Sequence, residues 1–215
     1  MTHGAVSASW QRAWAELGAA ADASLRDRLL AAWSEPQRHY HTLQHLRECL
    51  AHFDAVHDLA RHPGEVCLAL WFHDAVYEPQ RHDNEQRSAD GARERLLQAG
   101  ASREAADRIH ALVMATRHEA IPRDPDAQLL VDIDLAILGA SRERFDEYER
   151  QVALEYAHVP QAQRRAGRAR ILRAFLARPA IYATAFFHER FEAAARENLA
   201  YSVAKLGVTA KLPYA

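Results

Sequence analysis

Apolar side chains recur every three or four residues along almost the whole chain, which is the spacing of one face of an α-helix. The first stripe, with Trp10, Trp14 and Leu17, follows Ser7 and Ser9, either of which can cap a helix. Further stripes predict helices over residues 25–33, 43–56, 64–75, 83–100, 102–113, 126–138, 141–156 and 160–179, and a long last helix toward Gly207. The one candidate strand, residues 129–135, lies inside such a stripe. The pattern therefore predicts an all-α protein.

Polar residues and glycines mark the ends of the predicted helices. Asp83, with a glutamine three residues later, has the spacing of a capping pair, and Ser102 and Ser141 are suited to begin the next helices. Gly100 is suited to close the helix that Asp83 begins. No linker-like run and no internal repeat divides the chain. We therefore expect residues 1–215 to form one helical domain.

Composition narrows the class of protein. The 27 Lys and Arg residues nearly balance the 29 Asp and Glu residues, which argues against a binder of nucleic-acid duplexes or membrane surfaces. The longest strongly apolar run, residues 67–72, is far shorter than a membrane helix of about 20 residues. The N-terminal residues do not resemble a signal peptide. Two cysteines, Cys49 and Cys67, are too few for a disulfide framework or a thiolate zinc site, so we expect a cytoplasmic protein.

One of three His-Asp dipeptides lies in an apolar setting. The dipeptides are His57-Asp58, His73-Asp74 and His82-Asp83. The second follows the apolar run 68–72, whereas the first ends an amphipathic helix and the third lies in a loop. Burying an imidazole and a carboxylate costs free energy unless they pair or bind a metal. Successive residues of an ideal helix point about 100° apart, so the spacing alone does not direct both side chains to one ion.

Two other segments place metal-binding side chains in helices. His41 and His45 are four residues apart and so share a face of one helix. Asp132 and Asp134 lie among apolar residues, where a carboxylate needs a cation. Histidine nitrogens with carboxylate oxygens suit Mn, Fe, Co, Ni, Mg or Zn and leave positions for water and substrate. The sequence therefore predicts a divalent metal site.

The order His45, His73-Asp74 and Asp134 resembles the H…HD…D signature of the HD-domain superfamily of metal-dependent phosphohydrolases. The chain is also similar to a bacterial branch of that superfamily over about residues 10–200. The segments that carry this similarity are 38–45, 71–77, 83–88, 115–118, 132–139, 150–156, 167–168, 178–182 and 196–199. The resemblance implies a single helical bundle of the HD-domain type.

The resemblance also implies roles for the polar residues. The implied metal ligands are His45, His73, Asp74 and Asp134. Asp132, the alternative to Asp134, would instead contact a metal ligand without binding the ion itself. Asp74 would also accept a proton from the attacking water, with His73 beside it as part of the catalytic group. Glu85 is a candidate to orient that water, although it also simply suits a helix N-terminus.

Candidates for binding substrate lie on three other segments. His41 is a candidate for contact with a phosphate, with a surface histidine as the alternative. His118 is a candidate for contact with substrate or with a second metal ion. Arg164 and Arg168 are one helical turn apart and could clamp a phosphate, although a solvated charged helix explains them equally well.

These features predict a metal-dependent phosphohydrolase that uses a metal-activated water on a small phosphate ester or anhydride, with nucleotides as the leading substrate class. The expected partner is a small phosphorylated metabolite, and no oligomeric state is predicted. Two alternatives stay open. One is a di-iron HD-type oxygenase, for which His110 and His118 could add ligands. The other is a non-catalytic nucleotide-sensing module, against which the complete set of four ligands argues.

Overall fold

The computed structural model describes residues 3–207. Within this range the chain forms ten α-helices and two short 3-10 helices, and none of these residues is in a β-strand. The all-α prediction is therefore confirmed. The Cα positions group into two compact units, one ending at Asp134 and one beginning at Leu135. The assignment of residues 1–215 to one domain of the HD type stays a prediction.

Seven α-helices form the first unit. Their bounds are α1 His3–Leu17, α2 Ala23–Ala32, α3 Leu43–Val56, α4 Pro63–Phe72, α5 Asn84–Gln98, α6 Arg103–Ala115 and α7 Pro125–Asp134. A short 3-10 helix, His57–Leu59, follows α3. As predicted, Ser102 caps α6 through the backbone N–H of Ala105, and Gly100 closes α5 with a left-handed φ of 86°.

Helix α4 is the centre of the first unit. Residues 64–72 are all buried, and α1, α3, α5, α6 and α7 pack around them. At Gly64 helix α1 comes so close that a Cβ would lie 2.6 Å from the carbonyl oxygen of Ala13. Trp71 packs edge-on against Trp10, with 5.0 Å between ring centroids. A helix enclosed in this way is a rigid support for side chains at its end.

Two predicted helix caps are wrong. Helix α1 begins at His3, so Ser7 and Ser9 lie inside it and cap nothing, because the apolar stripe extends upstream of both. Asp83 precedes α5, but its side chain makes no capping hydrogen bond. Arg81 instead donates to both of its carboxylate oxygens, at 2.7 and 2.6 Å. A nearby guanidinium has therefore displaced the backbone N–H groups as the partner of this carboxylate.

Two helices end earlier than their apolar stripes predict. Helix α4 ends at Phe72 instead of residue 75. Helix α7 ends at Asp134, where the chain tightens into a second 3-10 helix, Leu135–Gly139. Such tightening is common at helix ends, because shorter-range bonds satisfy carbonyls that lack a partner further along the chain. Both ends carry candidate site residues.

Asp126 joins the start of α7 to the start of α4. Its carboxylate accepts hydrogen bonds from the backbone N–H groups of Arg61 and His62, at 2.7 and 3.0 Å. His62 Nδ1 also lies 3.1 Å from the same carboxylate. Asp126 is 4 % exposed, so the bonds that it accepts compensate for its loss of hydration. The sequence had placed Asp126 at a helix start but had given it no tertiary contact.

The second unit begins with the 3-10 helix Leu135–Gly139 and continues with α8 Arg142–Glu155, α9 Gln161–Leu176 and α10 Ala185–Leu206. Ser141 caps α8, as predicted, by accepting from the backbone N–H of Arg144. Glu192 of α10 is buried and accepts from the backbone N–H groups of Ile181 and Tyr182. Across residues 3–207, no helix has both the length and the apolar character to cross a membrane.

Candidate metal centre

Three helices of the first unit bring two histidines and an aspartate together. His45 lies in the first turn of α3, His73 follows the last residue of α4, and Asp134 ends α7. The two Nε2 atoms of His45 and His73 are 3.2 Å apart. Asp134 Oδ1 lies 3.1 Å from His45 Nε2 and 3.5 Å from His73 Nε2. These atoms, from residues far apart in the sequence, therefore face one point.

Asp74 reaches the same point because α4 has ended before it. Its Oδ2 atom lies 3.1 Å from His73 Nε2 and 3.8 Å from His45 Nε2. The backbone N–H of Ala75 bonds to the carbonyl of Phe72, so the chain forms a tighter turn here than in the body of α4. We call His45, His73, Asp74 and Asp134 the His–Asp cluster. It comprises all four residues that the sequence resemblance implies as ligands.

Hydrogen bonds at the far ring nitrogens orient both imidazoles. His73 Nδ1 lies 2.8 Å from the carbonyl oxygen of Leu70, which can only accept. His73 Nδ1 therefore carries a proton, and in the neutral ring Nε2 presents a lone pair to the cluster. His45 Nδ1 lies 3.0 Å from the hydroxyl of the buried residue Tyr40. Partners of this kind on the outer nitrogen are typical of histidines that bind metals.

The charges of the cluster favour a bound cation or proton. Burial acts to lower the pKa of His73, but Asp74 and Asp134 outweigh burial and raise that pKa well above its usual value. Burial acts to raise the pKa of Asp74, yet His73 and His41 bring it below the usual range. The pKa of Asp134 is also lowered, against the effect of burial, by contacts with histidines. Two ionised, half-buried carboxylates need positive charge between them.

The donor set and its dimensions fit a divalent metal. Ligand atoms about 2.1 Å from one ion lie roughly 3.0–3.4 Å from each other in octahedral or tetrahedral sites. Within the His–Asp cluster the closest contacts span 3.1 to 3.5 Å. His45, Cys49, His73 and Asp134 each offer one ligand atom within 4.8 Å of the others, so this buried group could hold a metal ion.

Cys49 is the site residue that the sequence interpretation missed. It follows His45 by four residues in α3, a helical spacing that would have placed the two side chains together. Its Sγ atom lies 3.6 Å from His45 Nδ1 and 3.7 Å from His45 Nε2. Near-equal distances place the sulfur beside the ring and not on the Nε2 lone-pair axis. Burial, and then Asp134 and Asp74, raise the pKa of the thiol.

Two of the predicted substrate-binding residues lie next to the cluster. His118 Nε2 is 3.0 Å from Asp134 Oδ2, so this carboxylate faces His118 with one oxygen and the other histidines with the second. His118 has a φ of 55° and is the one non-glycine residue with a positive φ among residues 3–207. The His41 ring stacks on Tyr77, with centroids 4.1 Å apart, and its charge helps to lower the pKa of Asp74.

The remaining candidates have other contacts. Arg168 donates to Glu149 at 3.0 Å, and Arg164 donates to the carbonyl of Tyr156 at 3.4 Å, both within the second unit. Their roles as a phosphate clamp stay predictions. Glu85 lies half-buried in the first turn of α5, and its role in orienting water also stays a prediction.

Two further candidates from the sequence interpretation, His110 and Asp132, lie in the first unit but outside the His–Asp cluster. His110, proposed as an extra ligand for a di-iron centre, lies 3.0 Å from Asp90 instead. Asp132 is buried in α7, and it is Asp134 that the structure brings to His45 and His73. The two aspartates differ in position, because Asp134 is the last residue of α7 and Asp132 lies inside the helix.

The other two His-Asp dipeptides have ordinary surface partners. His57 pairs with Asp58, whose side chain is fully exposed, and Asp83 pairs with Arg81.

Comparison of the chain with models of known protein families, with curated proteins and with solved structures gives no match. The His–Asp cluster itself is therefore the basis for a proposed function.

Proposed function

We propose that the protein is a metal-dependent phosphohydrolase of the HD-domain type. The observation that carries this proposal is the convergence of His45, His73, Asp74 and Asp134 on one buried point. Two imidazoles and two carboxylates form a mixed nitrogen and oxygen set suited to divalent ions of the Mn to Zn series. The order of these residues along the chain, which resembles the HD signature, agrees with the same assignment.

The chain supplies the groups that hydrolysis of a phosphate ester or anhydride needs. A divalent ion at the cluster would lower the pKa of a coordinated water and neutralise charge on the phosphoryl group. Asp74, whose lowered pKa keeps it ionised at neutral pH, would bind the cation and would accept a proton from water. His73 donates its Nδ1 proton to the carbonyl of Leu70 and so directs Nε2 at the cluster, where the neutral ring would offer a lone pair to a bound ion.

Residues at the border of the cluster favour an anionic substrate. The His118 side chain is 22 % exposed and can contact both Asp134 and solvent. His41 is half-buried and close enough to Asp74 to influence its charge. Two histidines at this border would hold the remaining charge of a small phosphorylated metabolite, with nucleotides as the leading class.

The three His-Asp dipeptides provide the test. The purified protein is analysed for metal content and then assayed for phosphate release from a panel of phosphorylated metabolites. Asp74→Asn should lose bound metal and turnover while the helical content is unchanged. Asp58→Asn and Asp83→Asn are the matched controls and should retain both, because their carboxylates pair with His57 and Arg81 at the surface.

Specific outcomes would contradict the proposal. Normal metal content in Asp74→Asn, or loss of turnover in Asp58→Asn, would show that the site is elsewhere. Two irons per chain with an oxygen-dependent product would identify an oxygenase instead. If the protein binds metal but releases phosphate from no member of the panel, the metal site is supported and the phosphohydrolase is refuted.

A further inference from the structure

Arg38, which precedes α3, has a fully buried guanidinium close to the His–Asp cluster. Its side chain is 0 % exposed. Arg38 Nε donates to Glu35 at 3.0 Å, which leaves the two terminal nitrogens for other partners. Arg38 Nη1 donates to the carbonyls of Asp74, at 2.6 Å, and His41, at 3.2 Å, and Nη2 donates to the carbonyl of Ala75 at 3.1 Å. Three of its four bonds therefore go to backbone carbonyls.

Two of these carbonyls belong to the turn that brings Asp74 to His73. A helix leaves its last carbonyls without partners, and the residues that follow have no regular hydrogen bonds of their own. The planar guanidinium has donors in a fixed geometry, so binding the carbonyls of Asp74 and Ala75 constrains the two consecutive peptide groups that follow the Cα of Asp74. The direction of the Asp74 side chain depends on the first of these groups, because the Cα of Asp74 is one end of it.

Aromatic rings hold the guanidinium in place. Its central carbon lies 5.7 Å from the centroid of the Trp33 ring and 5.4 Å from that of Tyr77. Trp33 in turn donates from Nε1 to the carbonyl of Trp71 near the end of α4, at 3.0 Å. His41, whose carbonyl Arg38 also binds, stacks on Tyr77. The segment before α3 and the end of α4 are thus joined through one side chain.

We infer that Arg38 is a positioning residue, which fixes the backbone of Asp74 so that its carboxylate faces His73 and the metal. This inference rests on the metal site of the proposed function, and it adds a residue that binds neither metal nor substrate. It also accounts for how adjacent His and Asp side chains converge, which helical geometry alone does not provide. Groups that orient metal ligands in this way typically change metal affinity about 10–100-fold when removed.

The test is a titration of the full chain with Mn²⁺, in which free ion is measured by its electron paramagnetic resonance signal. Arg38→Gln should weaken Mn²⁺ binding about 10–100-fold. Arg38→Lys keeps the charge but loses the planar pair of donors, so it should also weaken Mn²⁺ binding. This variant replaces Arg38→Gln in the titration if Arg38→Gln does not fold. Arg108→Gln is the control, because Arg108 forms a similar paired contact with buried Glu65 near the opposite end of α4.

A second set of variants separates positioning from general support of the fold. If Arg38 acts through Asp74, Arg38→Gln should change Mn²⁺ affinity little when Asp74→Glu, which moves the carboxylate but retains measurable binding, is already present, because coupled residues are not additive. Full additivity in this double-mutant cycle overturns the inference. Wild-type affinity in both Arg38 variants, with lower stability alone, overturns it as well.

The failure of the inference can be told from that of the proposed function. Weaker Mn²⁺ binding in the Arg38 variants of a protein that hydrolyses no phosphorylated metabolite supports the positioning role and refutes the phosphohydrolase. Phosphate release by the unaltered protein, with equal Mn²⁺ affinity in the Arg38 variants, supports the phosphohydrolase and refutes the positioning role. Absence of Mn²⁺ binding by the unaltered protein overturns both.

Discussion

Asp134 divides its two carboxylate oxygens among three histidines. Oδ1 faces His45 and His73, and Oδ2 faces His118. Asp132, two residues earlier in α7, points about 200° away around the helix axis and is buried elsewhere. Two aspartates in one apolar segment therefore have different surroundings, although the sequence presents them alike.

This difference predicts opposite results for two amide substitutions. Asp134→Asn keeps the size of the side chain but removes its charge, so we expect metal affinity to fall about tenfold or more. Asp132→Asn should retain metal affinity and lower the free energy of unfolding, because it changes a buried polar group. Metal titration and urea unfolding of both variants check this. If only Asp132→Asn loses the metal, then Asp132 is the metal ligand and Asp134 is not.

His57 provides a prediction that depends on pH. Its Nδ1 lies 3.1 Å from Asp58 and its Nε2 lies 2.8 Å from Glu16 of α1, and contacts with Asp58 and then Glu16 raise its pKa above the usual value. Protonated His57 therefore stabilises the fold below the pKa of the unfolded chain, about 6.5, and this contribution is lost as pH rises through the folded pKa.

We thus expect His57→Gln to lower the free energy of unfolding more at pH 5 than at pH 9. The difference should be about 1 kcal/mol or less, because the side chain is partly exposed. His82→Gln, in an exposed loop, is the control. Urea unfolding at the two pH values measures the effect, and an equal loss at both would contradict the contribution of these contacts.

At the scale of elements, the contact between α1 and α4 depends on a residue without a side chain. A Cβ at Gly64 would lie 2.6 Å from the carbonyl oxygen of Ala13 and 2.9 Å from Cβ of Glu16. Neither is the flexible end of a side chain, so the helices would have to separate. Because α4 carries His73 at its end, this contact also supports the cluster.

Gly64→Ala should therefore destabilise the protein by about 1–3 kcal/mol, as overpacking does in other cores. Gly91→Ala is a control with the opposite expectation. Gly91 lies inside α5 with no atom near the position of a Cβ, so alanine should stabilise by about 0.5–1 kcal/mol through helix propensity. Thermal or urea unfolding compares them, and equal changes in the two variants would refute the close contact.

Helix interiors could be predicted from the sequence, whereas several helix ends could not. The three-to-four-residue stripes follow from burial of one face, which is a local property of the chain. The ends at Phe72 and Asp134 depend on tertiary partners. The side chain of Asp83 is bound by Arg81 instead of capping α5. A short polar side chain near a helix start has several possible partners, and the sequence does not rank them.

At the scale of the whole molecule, all four residues of the His–Asp cluster lie in the first unit. The apolar settings of His73, Asp74 and Asp134 indicated that these groups need partners or a cation, and the resemblance to the HD signature implied the full set with His45. The sequence interpretation missed Cys49 despite its spacing of four residues from His45 in α3, and it could not find the carbonyl contacts of Arg38, because these depend on how the chain packs. Polar groups in apolar surroundings are thus visible in the sequence, and the residues that position them are not.

A ligand that binds only the folded state stabilises the whole cooperative unit. We therefore expect Mn²⁺ at about 100 times its dissociation constant to raise the free energy of unfolding by about 2.7 kcal/mol. Asp74→Asn should show no such rise at the same concentration, and Asp58→Asn should show all of it. Thermal unfolding with and without Mn²⁺ measures the difference. An equal rise in Asp74→Asn would assign the ion to another site.

The contacts of Asp126 and Asp134 make the lengths of α4 and α7 depend on each other. The carboxylate of Asp126 binds the backbone at the start of α4, while Asp134, at the end of α7, meets His73 just beyond the end of α4. Helices α4 and α7 therefore run in the same direction and are fastened to each other at both ends. One residue inserted in α7 would turn Asp134 by about 100° and shift it by about 1.5 Å relative to Asp126. The His–Asp cluster thus fixes the register of the two helices, and substitutions within them should be tolerated more readily than insertions or deletions.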